Sequence, residues 1–109
     1  MLLTTTDVLQ ETHIREYVGV VTAEVVYGSN FIRDWFANIR EVIGGRTGSY
    51  ERLFEQGHEK AMKEMEKRAR RMGANAVIGI STNTGSINID EKGVLLLITA
   101  TGTAVTIED

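Results

Sequence analysis

The sequence predicts an α+β domain, a small antiparallel sheet with two helices packed on one face. Three observations carry that prediction. Apolar and β-branched residues alternate from about Ile14 to Tyr27, and a β-prone run spans about Val94 to Ile107. Between them lie two stretches in which apolar residues recur at steps of three and four, the period of a helix. A glycine-rich segment, Gly44 to Glu51, joins those two helical stretches.

Residues 1–109 form a single domain by length. A chain of this size buries roughly 60–70% of its unfolded surface, enough to fold with a small margin. The absence of cysteine excludes disulfides, thiolate zinc sites, iron–sulfur clusters and a cysteine nucleophile. A net charge of −3 argues against a dedicated nucleic-acid binder, although it leaves room for a local basic patch. The first residues lack the basic start and apolar core of a signal peptide. No apolar run approaches the roughly 20 residues of a membrane helix. A soluble cytoplasmic protein with no membrane partner is expected.

Leu2 to Thr5 reads as a short strand, and Asp7 to Thr12 as a turn or connection. In the long strand, Tyr17, Gly19, Val21, Ala23, Val25 and Tyr27 form one alternating set, expected to face the helices. The other set mixes Val18, Val20 and Val26 with Glu16 and Glu24. That mixture predicts a second buried surface on the far side, supplied by another subunit. Gly28-Ser29-Asn30 ends the strand, with Ser29 or Asn30 as cap of the first helix. Phe31, Ile32, Trp35, Phe36, Ile39, Val42 and Ile43 give that helix its apolar stripe, read as core.

The second helix is predicted from about Tyr50 to Met72, closed by Gly73. Leu53, Phe54, Gly57, Ala61, Met62, Met65, Ala69 and Met72 face inward, and the small Gly57 and Ala61 invite close approach of another backbone. Glu59–Lys63, Glu64–Arg68 and Glu66–Arg70 are spaced for favourable pairs of about 0.2–0.5 kcal/mol each. Lys67, Arg68, Arg70 and Arg71 complement the negative end of the helix, with an RNA-facing patch as the alternative. Ala76 to Thr82 reads as a short apolar strand and Gly85 to Gly93 as a polar hairpin connection. In the last strand Gly102 permits a bend or bulge. The core unit is therefore β-α-β-β with an added helix, and assembly would cover the open edges of so small a sheet.

The loop between the helices holds most of the candidate recognition residues. Gly45 and Gly48 allow turns and close backbone approach, Ser49 is placed to cap the second helix, and Glu51 suits the helix dipole. Arg46 adds a planar cationic fork, and amides at a helix start attract anions. The GxxxxGK[ST] spacing of a phosphate loop is absent, and a helix precedes the segment instead of a strand. A tight helix–helix connection explains the same glycines without any ligand.

Several stretches coincide in order. They are Tyr17-Val18-Gly19-Val20-Val21-Thr22, Gly28-Ser29-Asn30, Arg33-Asp34-Trp35-Phe36, Ile39-Arg40, and Gly44 to Glu51. Met72-Gly73-Ala74-Asn75-Ala76-Val77-Ile78-Gly79 and Gly102-Thr103-Ala104-Val105 follow. Over nearly the whole chain this pattern resembles the YbjQ-like family of small bacterial and archaeal proteins, often labelled heavy-metal-binding. The resemblance implies a dodecin-subunit-like fold assembled into a five-membered ring, with no settled biochemical role.

Three function classes follow. The first is a non-enzymatic, oligomeric ligand-binding or scaffolding protein. Its site would lie between subunits, with Asn30, Arg33, Gly45, Arg46, Gly48, Ser49 and Tyr50 around a small anion. The second is a metal-binding oligomer using carboxylates and His58 or His13, with Glu55 and His58 sharing a helix face. Heavy metals favour sulfur ligands, which a cysteine-free chain does not offer as thiolates, so neither a metal nor any other cofactor is expected. The third is an enzyme with Tyr50 and Glu51, or a buried Glu24, as acid–base groups. No catalytic motif supports it. The expected partners are further copies of the chain and a small anion, and nucleic acid is not expected.

Overall fold

The computed structural model describes residues 1–43, 48–88 and 93–108, with side chains at all of these except 36, 38–43 and 48–50. In chain order the elements are β1 (Leu2–Leu3), β2 (Ile14–Tyr27), α1 (Ser29–Ile43), α2 (Gly48–Arg71), β3 (Ala76–Asn88) and β4 (Val94–Ile107). The four strands make one sheet in the order β1-β3-β4-β2.

The sheet is mixed, not purely antiparallel as expected. Strand β4 runs antiparallel to both β2 and β3, but β1 lies parallel to β3. Strands β1, β2 and β3 therefore share one direction, so the chain must cross from one edge of the sheet to the other between Leu3 and Ile14. Leu9 of that connection packs with Ile14 and Ile107 on a small cluster of Ala76, Ile78 and Val105. The neighbours Val77 and Ala104 point the opposite way, into the main core beneath α2. The expected turn is thus a crossover that covers one end of the sheet's second face.

The bounds of β2 agree with the alternation. Val21, Ala23 and Tyr27 are buried beneath the helices. Tyr17 and Val18 depart from their expected sides. The register shifts between Tyr17, opposite Val105, and Gly19, opposite Ala104. The extra residue turns Tyr17 onto the outer face, where it is 67% exposed, while Val18 packs against the helix-side core. Val20 and Val26 do lie on the outer face and are exposed there.

Helix α2 carries the core. Leu53, Gly57, Ala61, Met65 and Ala69 are buried at four-residue steps. A methyl group at Gly57 would overlap Ile98 Cδ1 and come within 3.3 Å of Tyr27 Cε2, so the predicted close approach is to strand side chains. Gly73 closes the helix at φ +92°, with its amide on Arg70 O and that of Ala74 on Ala69 O. Met72, expected in the stripe, is partly exposed beyond the helix end. Ser49 and Tyr50 fall inside the first turn of α2, so Ser49 does not precede the helix as its cap.

Strand β3 continues to Asn88, so Gly85 to Asn88 belong to the ladder and not to the connection. Their polar composition misled because this part of the strand is exposed on both faces, and backbone pairing with β4 does not require apolar side chains. The bulge near Gly102 lies in β3, between Ile78 and Ser81, with Gly79 at φ +61°. Gly102 faces it, and a Cβ there would come within 2.7 Å of Val77 Cγ1.

Candidate functional site

The start of α1 is held against the start of β4 by one side chain. Ser29 Oγ donates to Val94 O at 3.0 Å and accepts from Val94 N at 2.8 Å. Its hydroxyl therefore latches helix to strand; α1 opens instead with the Ile32 amide on Gly28 O. Gly93 makes the latch possible. It adopts φ +122°, and a Cβ there would collide with Ser29 Oγ.

Beside this latch is a cavity of about 200 Å³, lined by Ser29, Ile32, Arg33, Gly93, Val94 and Leu96. Its floor is apolar and Arg33 is its only charged wall residue among those described. Val94 and Leu96 also line a neighbouring cavity of about 430 Å³, with Phe54, Thr84, Gly85, Ser86 and Asn88. The two spaces thus meet where α1, α2 and the β3–β4 hairpin converge. The combination of an apolar floor and one guanidinium suits a small anion with an apolar body.

Of the predicted site residues, Arg33 lies on this cavity and Asn30 is exposed one turn earlier, off its lining. Gly45 and Arg46 lie outside the described residues. Gly48, Ser49 and Tyr50 form the first turn of α2, and their side chains are not described. Ser29, Val94 and Leu96 were missed as lining residues. The only signal for Ser29 was its place in Gly28-Ser29-Asn30, where capping was the simpler expectation.

The aromatic residues stack on one another. Tyr27 and Phe31 lie with centroids 4.8 Å apart, and Phe31 and Trp35 with centroids 6.4 Å apart. Lys60 Nζ sits 5.5 Å from the Tyr27 centroid and 5.9 Å from that of Phe31. The Tyr27 hydroxyl is buried without a hydrogen-bond partner among the described residues, and burial raises its pKa above the ordinary 10.0.

The residues do not fit a soft heavy metal. The sequence has no cysteine, and among the described residues no three His, Asp or Glu come together. Glu55 is exposed, whereas His58 is half-buried with Nε2 shielded and unbonded among the described residues. His13 lies with Asp7 and Thr12 around a separate cavity of about 280 Å³. The acid–base reading also loses Glu24, which is not buried but half exposed and paired with Arg68 at 3.3 Å.

A family profile described as "Putative heavy-metal-binding", that of YbjQ, matches residues 1–108. A UPF0145 protein of Trichodesmium erythraeum is 70% identical over 105 residues, covering 96% of this chain and 97% of that protein. One from Synechocystis is 62% identical over 108 residues, covering 99% and 100%. Among solved structures, a Pediococcus pentosaceus protein of unknown function from the DUF74 family is similar at a TM-score of 0.62 and 20% identity. The match covers 99% of this chain and 98% of that one. That likeness is one of fold. No described helix is long and apolar enough to cross a membrane.

Proposed function

The chain belongs to the YbjQ family, and from that premise we propose that it is a non-enzymatic homo-oligomer that binds a small anion beside Arg33. The single observation that carries the reading is the cavity between α1 and β4, with its apolar floor and its one guanidinium. Arg33 would hold the anionic group, and Ile32, Val94 and Leu96 would take the apolar body. Arg46, outside the described residues, is kept as a second cation on sequence grounds, with Gly45, Gly48, Ser49 and Tyr50 around it.

The proposed assembly is the five-membered, dodecin-like ring that the family resemblance implies. Its support here is the outer sheet face, where Val20 is 73% and Val26 53% exposed, together with the outer edge of β2, which pairs with no other strand among the described residues. A cytoplasmic setting is part of the proposal.

The test is calorimetric titration of the assembled protein with inorganic phosphate and with butyrate, alongside native mass spectrometry. Wild type should bind at least one of them, and Arg33→Ala should bind neither while keeping the oligomeric mass. Equal binding by the variant would remove Arg33 from the site. No heat with either probe would sink the anion reading, and a monomeric mass would sink the assembly.

A further inference from the structure

The cations that crowd the second half of α2 divide into two groups. Those on its flanks are engaged. Arg68 Nη1 donates to Thr22 O at 2.7 Å and to Glu24 Oε1 at 3.3 Å, and Arg68 Nε lies 3.5 Å from Glu64. Arg70 pairs with Glu66 at 3.2 Å. Those on the outward face are not engaged. Lys63, Lys67 and Arg71 are exposed, and none forms a hydrogen bond or ion pair among the described residues. The expected Glu59–Lys63 pair does not form within 4.0 Å.

These three residues are spaced four apart, so they rise about 6 Å per step along a nearly straight row. Lys60, one turn before Lys63, extends the row towards the aromatic stack. Of the neighbouring carboxylates, Glu64 and Glu66 are occupied by Arg68 and Arg70, while the exposed Glu59, one turn before Lys63, bounds the row at its start. From Lys63 to Arg71 the row is therefore a line of positive charge that its flanking carboxylates do not neutralise. The chain's net charge of −3 does not cancel it at contact range, because salt confines such fields to about 10 Å.

We propose that Lys63, Lys67 and Arg71 form a contact surface for the phosphodiester backbone of a single-stranded nucleic acid. The spacing of the row follows successive phosphates of an extended strand, each cation releasing condensed counterions as it binds. A duplex fits less well, because the row is one cation wide and convex and offers nothing to enter a groove. A membrane surface fits less well too, since apolar side chains should stand beside the cations. The nearest exposed ones are turned aside. Phe31 is stacked between Tyr27 and Trp35, and the methyl end of Met72 lies against Gly19. With the rings stacked on one another, the surface reads backbone charge and not base identity.

The experiment is fluorescence anisotropy of the assembled protein with labelled oligouridylate and oligothymidylate, and cosedimentation with phosphatidylserine vesicles. Wild type should bind oligouridylate, and the association constant should fall about twentyfold between 50 and 200 mM salt for three phosphates. Lys63→Gln, Lys67→Gln and Arg71→Gln combined should abolish binding with the oligomeric mass and circular dichroism unchanged, whereas Arg15→Gln on β2 should bind as wild type. Equal binding of the thymidylate would support the backbone reading. The proposal is overturned by no binding at low salt, by unchanged binding in the triple variant, or by an equal loss in Arg15→Gln. Vesicle binding without oligonucleotide binding would overturn it as well.

Discussion

The two halves of β3 share one ladder partner and have opposite environments. From Ala76 to Ile78 the strand is buried on both faces, under α2 on one side and the Leu9 crossover on the other, with β1 along its edge. From Ser81 to Asn88 every residue is exposed, although pairing with β4 continues to Val94. Pairing alone therefore does not make a strand part of the core; cover on its faces does. The near half supplies stability. The far half carries little packing of its own and borders the larger of the two cavities at the hairpin end.

The largest test of that contrast is truncation of the near-end core. Met65→Ala should cost about 2–5 kcal/mol in urea unfolding, because a fully buried side chain leaves a cavity that the close-packed helix cannot fill. Gly57→Ala should follow at about 1–3 kcal/mol, since its methyl overlaps Ile98 and forces repacking despite better helix propensity. At the boundary, Ser29→Ala should cost about 1–3 kcal/mol by leaving the Val94 amide and carbonyl without their partner. It should also loosen the hairpin end, seen as faster amide exchange at Val94 with little change at Val77. At the far end, Ile87→Ala should stay within about 0.5 kcal/mol for an uncovered chain. A loss near that of Met65→Ala would show that another copy covers the far half and would erase the contrast.

The smallest effect concerns Tyr27. Its folded pKa is raised above 10.0 by burial, so the neutral phenol is the form that folding favours. The associated stability is fully present below the unfolded pKa and is lost as pH climbs through the folded one. Unfolding free energy should thus decline more steeply above pH about 10 in wild type than in Tyr27→Phe. Near neutral pH, Tyr27→Phe should be neutral or slightly stabilising, because it deletes a buried hydroxyl that has no partner among the described residues. A clear destabilisation there would mean that the hydroxyl is bonded in solution.

Local chemistry was legible where one interaction range decided it. The bounds of β2 and β4, the inward stripe of α2 and the glycine stop at Gly73 all follow from periodicity and backbone preference within a few residues. Of the site, Arg33 was legible as a cation near a helix start. The role of Ser29 was not, because its partner Val94 is 65 positions away and nothing near Ser29 separates a cap from a latch. Likewise Lys67, Arg68, Arg70 and Arg71 read as one basic cluster along the chain, and only the packing of α2 on β2 separates Arg68 from the outward row.

What the sequence determined by itself was the class of fold, the period of each long element and the chemistry that a cysteine-free chain cannot perform. What only the tertiary structure decided was the parallel placement of β1, the continuation of β3 to Asn88, the bulge that turned Tyr17 outward, and the meeting of Arg33 with Val94 and Leu96. The physical reason is range. Helix and strand periods are set by neighbours a few residues apart, whereas strand register, edge pairing and cavity walls depend on contacts between residues far apart in the chain, which the whole sheet must satisfy together.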